Sequence, residues 1–115
     1  FADLAHFPNG TVPGDGVHVV WPMLLGPNRG RYFLLTGERI AAVEALRLGV
    51  VAEVMPADAL LPRARELAAR IAAVPTSAAR HTRSLLVREL RRRMLDELPS
   101  GLAHEALATL VTSPG

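Results

Sequence analysis

The chain has no cysteine and no lysine. The first absence excludes disulfides and thiolate metal sites. The second makes all 13 basic residues arginines. Arginine keeps its proton far above the lysine range, so the high pI reflects the choice of base and not a large excess of charge. The net charge is only +2, too small to imply a nucleic-acid partner. Aromatic residues make up 4% of the chain, which leaves no stacking platform for bases. No apolar run approaches the roughly 18 residues of a membrane span. The opening Phe-Ala-Asp forms neither a basic n-region nor an apolar h-region. The expectation is a cytoplasmic protein with no membrane or nucleic-acid partner, no metal and no cofactor.

What is present fits one globular domain. Half of the 115 residues are hydrophobic, and a chain of this length can bury a core of its own. The run RELRRRM at residues 88–94 is locally basic. It reads as a solvated helix face, because Glu89, Asp96 and Glu97 stand where they can pair with it; an anion or partner site is the other reading. The first residue is not an initiator Met, and the sequence reads as part of something longer.

Local patterns divide the chain. VHVVWPMLLG reads as a short helix or turn broken at Pro22 and closed by Gly26. Pro27 suits a first helical turn, and Gly37 stops the segment carrying Tyr32, Phe33 and Leu35. Residues 41–48 have helical periodicity, with Gly49 beyond the end. VVAEVM, β-branched and brief, reads as a strand or extended segment before Pro56. Asp58 is the expected N-cap of a helix in which Leu60, Leu61, Ala64, Leu67, Ala68 and Ile71 line one face. Pro75 ends it, and Thr76 or Ser77 caps the next. That helix runs over 78–98, with Leu85, Leu86, Leu90, Met94 and Leu98 on one stripe, until residues 99–101 break it. A last helix covers 102–111, capped by Ser100, before a frayed TSPG tail. About five helices and one short strand make no complete sheet. The inventory describes either a small helical domain or the helical end of a larger α/β fold.

The stretch AHFPNGTVPGDG at residues 5–16 is a stiff loop with His6 and Asp15 near its ends. On the residues alone, His6 beside Phe7 and Pro8 reads as a packed or surface histidine, Asp15 as a turn residue, and Glu105 as a solvated helix residue. His104 and Glu105 are adjacent on a helix and point in different directions, which argues against a metal pair. His18 and His81 carry no motif and read as structural. Trp21 reads as a packing anchor.

LLTGERI, EALRLGVV and a Pro-containing turn into a long helix, over residues 34–72, resemble the crotonase (enoyl-CoA hydratase/isomerase) superfamily. GTVPGDG at residues 10–16 resembles its G-T-x-P-G-x-G loop. The resemblance implies an α/β crotonase (ClpP/crotonase-like) fold, represented here by its mainly helical C-terminal portion. The spiral of strand-strand-helix turns with which family members begin is missing, and with it the oxyanion-hole amides. Residues 1–56 would be the end of the enzyme core, with its active-site loop, and 57–115 a helical oligomerisation region. Within the family, hydratases carry a catalytic Glu four residues before the Gly of the loop, where this chain has His6. They carry a small apolar residue where it has Asp15. HFPNGTVPGDGVHVVWP, with GLAHEAL further on, looks like the 6-oxocamphor hydrolase type, which are β-diketone hydrolases acting by retro-Claisen cleavage. That likeness implies a His–Asp dyad at His6 and Asp15 and an acidic active-site residue at Glu105.

The chemistry suits those residue types. Water must attack one ketone, and the tetrahedral oxyanion must expel an enolate. A neutral His is a suitable base near pH 7. A carboxylate on its other nitrogen fixes the tautomer and stabilises the imidazolium. The implied partners are a small diketone, with an acyl-CoA thioester as the alternative, and further copies of the chain in a homotrimer or hexamer. In that assembly the apolar helices and Arg91, Arg92 and Arg93 would serve subunit contacts. A non-enzymatic assembly module is the remaining reading.

Overall fold

The computed structural model describes residues 1–112; the end of the tail expected to fray, residues 113–115, lies outside them. A 3-10 turn at Phe7–Asn9 is followed by α1 (Val17–Leu25), α2 (Pro27–Thr36), α3 (Ala42–Arg47), α4 (Ala57–Ala72), α5 (Thr76–Leu86) and α6 (Arg88–Thr112). No strand occurs among the described residues.

The core gathers around α2. Phe33, Leu34, Ile40 and Ala45 are buried together, and Val17, Trp21, Leu25, Leu48, Val50 and Val51 pack on them. Trp21 is the anchor expected of it. Its ring lies 4.3 Å from Phe33 and meets Phe1 edge-on at 5.9 Å, separations at which aromatic pairs attract. Phe1 and Ile40 exchange two backbone hydrogen bonds of 2.8 Å, which tie the opening segment to the core.

Several sequence expectations are corrected. Pro22 does not break α1. Its ring costs one carbonyl partner, and its backbone is where α2 comes closest. A Cβ on buried Gly30 would stand 2.5–2.6 Å from Pro22 Cα and N. The helices cross with glycine facing a residue that has no N–H to hide. Of the two readings of VVAEVM, strand or extended segment, the strand does not form, because no neighbouring ladder stands beside it among the described residues. The N–H groups of Val50 and Val51 donate instead to Ala45 O, at 2.9 and 3.4 Å, folding the chain over the end of α3. Asp58 lies in the first turn of α4 and is not its N-cap; Pro56 takes that position. Pro75 likewise precedes α5, and Thr76 is its first helical residue. Neither helix has a side-chain cap hydrogen bond. A proline just ahead of the first turn already sets an extended entry and has no donor to satisfy. The helix expected over 78–98 is two helices parted at Val87, and 99–101 is no break, so Ser100 caps nothing. Pro99 sits on the exposed side of α6, where one lost bond is tolerated, and Gly101 is held in place by packing.

The chain is long for its size. Its radius of gyration is 17.8 Å, against roughly 13 Å for a compact domain of this length. α4 and α5 have the amphipathic pattern that the sequence announced, yet neither has a buried residue. Leu60, Leu61, Ile71, Leu85 and Leu86 are all more than half exposed. The RELRRRM run is a paired, solvated face. Arg92 and Arg93 both bind Glu89, and Arg92 also reaches Asp96 at 3.5 Å. Together the two arginines hold the Glu89 carboxyl down at about 2.

Candidate active site

The loop that carries His6 is fixed by its own backbone. The His6 carbonyl accepts from the N–H groups of Asn9 (2.8 Å) and Thr11 (3.1 Å). The chain then runs through Pro13 into the turn that starts α1, where Asp15 Oδ1 accepts weakly from Val17 N at 3.4 Å.

α6 meets this loop through one stripe. Met94, Leu98, Gly101, Glu105 and Ala108 are its partly buried positions, at the alternating four-and-three spacing of a helix face. Two glycines make the contact. A Cβ on Gly14 would fall 2.1 Å from Gly101 O, and one on Gly101 would fall 2.4 Å from Gly14 O and 2.5 Å from the His18 ring. Backbone therefore lies on backbone. One turn beyond Gly101, Glu105 Cβ stands 3.1 Å from the same Gly14 position, so the contact delivers Glu105 to the loop.

His6 is the centre of the arrangement. Its Nδ1 lies 2.7 Å from Asp3 Oδ1, and its Nε2 lies 3.4 Å from Asp15 Oδ2. Burial disfavours the imidazolium, but the hydrogen bond and charge of Asp3, with the charges of Asp15 and Glu105, outweigh it. The His6 pKa is raised above its ordinary 6.5. Glu105 Oε2 is buried and has no partner among the described residues.

The structure thus brings together all three residues singled out in the sequence, His6, Asp15 and Glu105. It adds Asp3, which sequence reasoning missed. Asp3 is buried, with 6% of its surface exposed, and it makes the shorter contact to the histidine. An Asp three residues before a His in a non-helical turn was the available signal, and no motif marks it. His104 is turned away, its Nδ1 2.8 Å from Ser100 O. No group of three or more His, Asp or Glu among the described residues is placed to hold a metal. Two cavities share His18 in their walls, and neither is lined by His6. One of about 280 Å³ is lined by His18, Pro22, Arg92, Arg93, Asp96 and Glu97 among others. One of about 240 Å³ is lined by Pro13, Gly14, His18, Glu97, Ser100 and His104 among others. His18, read as structural, is part of both walls, and its buried Nδ1 has no partner among the described residues.

The family model described as enoyl-CoA hydratase/isomerase matches residues 3–106. The chain belongs to this family. It corresponds to the mainly helical C-terminal portion of the crotonase fold. A β-diketone hydrolase from the cyanobacterium Anabaena sp. PCC 7120, solved with bound (S)-3-oxocyclohexyl acetic acid, is 45% identical over 94% of this chain and 43% of its own, with a TM-score of 0.91. An enoyl-CoA hydratase from Mycobacterium avium is 32% identical over 96% of this chain and 49% of its own, with a TM-score of 0.85. The crotonyl-CoA hydratase of Syntrophomonas wolfei is 39% identical over 62 residues, 54% of this chain and 24% of that protein. The chain spans between 23% and 42% of the length of the first curated relatives it matches. In this chain the histidine of the loop has a carboxylate near each ring nitrogen. No helix among the described residues is long and apolar enough to cross a membrane.

Proposed function

We propose that the protein bearing this chain is a β-diketone hydrolase that cleaves a carbon–carbon bond by retro-Claisen hydrolysis, with His6 as the water-activating base. The observation that carries this reading is His6 itself, held between Asp3 and Asp15 at 2.7 and 3.4 Å. The 45% identity to a β-diketone hydrolase supports it. His6 removes a proton from water as the oxygen attacks one ketone carbon. The tetrahedral oxyanion collapses, the bond to the carbon between the two carbonyls breaks, and its electron pair leaves as the enolate of the second ketone. The imidazolium returns its proton to that carbon. One water is consumed, and the products are a carboxylic acid and a ketone. Asp15 and Glu105 place negative charge beside the ring while it is cationic. Residues 1–56 act as the enzyme-core part that bears the loop. Residues 57–115 act as the assembly region of a trimer or hexamer, a role supported by the exposed apolar faces of α4, α5 and α6.

The test is turnover of a bicyclic β-diketone by the intact protein, against His6→Ala and Asp15→Asn. His6→Ala is expected to lower kcat by about 10²–10⁴-fold. Unchanged rates in both variants would overturn the reading. The alternative, hydration or isomerisation of an acyl-CoA thioester, draws on the identity to enoyl-CoA hydratases. Turnover of crotonyl-CoA without cleavage of the diketone selects it.

A further inference from the structure

We infer that Asp3 is the positioning residue of the site: it holds the proton of neutral His6 on Nδ1, so that Nε2 is the atom that takes the proton from water. The inference rests on the reading of His6 as the base and assigns the two carboxylates different work.

The two contacts are unequal. Asp3 Oδ1 stands 2.7 Å from Nδ1, the length of a charge-assisted hydrogen bond. Asp15 Oδ2 stands 3.4 Å from Nε2, beyond a normal one. Their settings differ in the same direction. The Asp3 side chain is 5% exposed and that of Asp15 is 47% exposed. Asp3 follows the segment pinned by the Phe1–Ile40 exchange, and the His6 backbone is held through its carbonyl. Asp15 spends its other oxygen on a 3.4 Å contact at the head of α1 and faces solvent.

Chemistry then fixes the tautomer. A carboxylate only accepts, so the nitrogen beside the short, buried contact carries the hydrogen. Neutral His6 has its lone pair on Nε2, on the side of Asp15. Asp15 has nothing to accept from Nε2 until the proton arrives, and it then stabilises the imidazolium. Asp3 acts throughout, whereas Asp15 acts only after proton transfer. The burial of Asp3 fits such a post. Its Oδ2 is buried without a hydrogen-bond partner among the described residues, a costly placement for a carboxylate whose only task is packing.

The charged groups facing the ring are Asp3 in the opening segment, Asp15 in the loop before α1 and Glu105 on α6. All three affect a pH profile, so the deciding measurement is the tautomer. Nitrogen NMR of the intact protein labelled with ¹⁵N-histidine, with His6 assigned by its loss in His6→Ala, reads it directly above the titration range. Wild type and Asp15→Asn are expected to carry the hydrogen on Nδ1. Asp3→Asn is expected to move it to Nε2 and lower kcat on the diketone about 10²-fold or more, with KM within about threefold. Asp3→Glu is expected to recover part of that loss. A wild-type hydrogen on Nε2, which needs no variant to fold, overturns the inference, as does an Asp3→Asn enzyme within about twofold of wild type in kcat. If His6→Ala itself leaves diketone turnover unchanged, the functional reading fails, while the tautomer result still decides what Asp3 does to His6.

Discussion

Residues 1–51 and residues 57–112 both form helices with apolar stripes, but only the first group holds buried positions. Every fully buried position among the described residues lies at or before Ala45. There the helices are short, interrupted by glycine and proline, and held by Phe33, Trp21 and Ile40. In the second group the helices are longer and more regular, and their leucines face outward. The difference separates two causes of helix formation. α1 and α2 are shaped by what they pack against. α4 and α5 carry their amphipathic pattern without a buried residue among the described residues, so local pattern accounts for more of their formation. The one place where the second group packs closely on the first is the α6 stripe, and that stripe ends at the candidate site.

The contrast can be broken experimentally, and the largest effect belongs to the core. Phe33→Ala is expected to cost about 3–5 kcal/mol, read from denaturant unfolding followed by the fluorescence of Trp21, the single tryptophan. Gly101→Ala comes next, at about 1–3 kcal/mol, because its Cβ would enter the space of Gly14 O. Its second signature is a weaker effect of Glu105 on the His6 titration; a Gly101→Ala protein with wild-type stability and an unmoved His6 pKa would show that the contact is loose.

The pH dependence of stability follows from His6. Its pKa is raised on folding, so it contributes stability that is complete below the ordinary value of 6.5 and is lost as pH rises through the folded value. Unfolding free energy measured across that window should fall with rising pH, and Asp3→Asn should flatten the fall. The smallest effect is expected at Leu86, which is 77% exposed. Leu86→Ala in the isolated chain should change stability by no more than about 0.5 kcal/mol. If the intact protein covers this face, the same change there should cost about 2–5 kcal/mol, and sedimentation velocity of the intact protein should show an oligomer that the substitution weakens.

Much of this architecture is legible in the sequence where one residue decides the outcome. Gly37 and Gly49 end their segments as expected, and the leucines of residues 60–71 announce α4. What misleads is proline read as a full stop. Pro22 and Pro99 lie inside helices, as does Pro62, which falls within a helix the sequence predicts, because one missing hydrogen bond is a bounded loss that packing or solvent absorbs. VVAEVM misleads for the opposite reason: a strand is a property of two segments, and only one is present. At the site, His6, Asp15 and Glu105 are visible through resemblance. Asp3 is not, because its role depends on a turn geometry that brings i and i+3 together outside a helix. Glu105 could not be placed by spacing at all, since its position depends on the meeting of two glycines 87 residues apart in sequence (Gly14 and Gly101).

That meeting of glycines works as a joint without a gasket. Side chains at a helix contact can shift rotamers and absorb a small displacement, but two bare backbones have no such slack. A tilt of α6 caused by a substitution is passed directly to Glu105. The position of α6 and the electrostatics of His6 are therefore geared together, with Gly101 as the tooth.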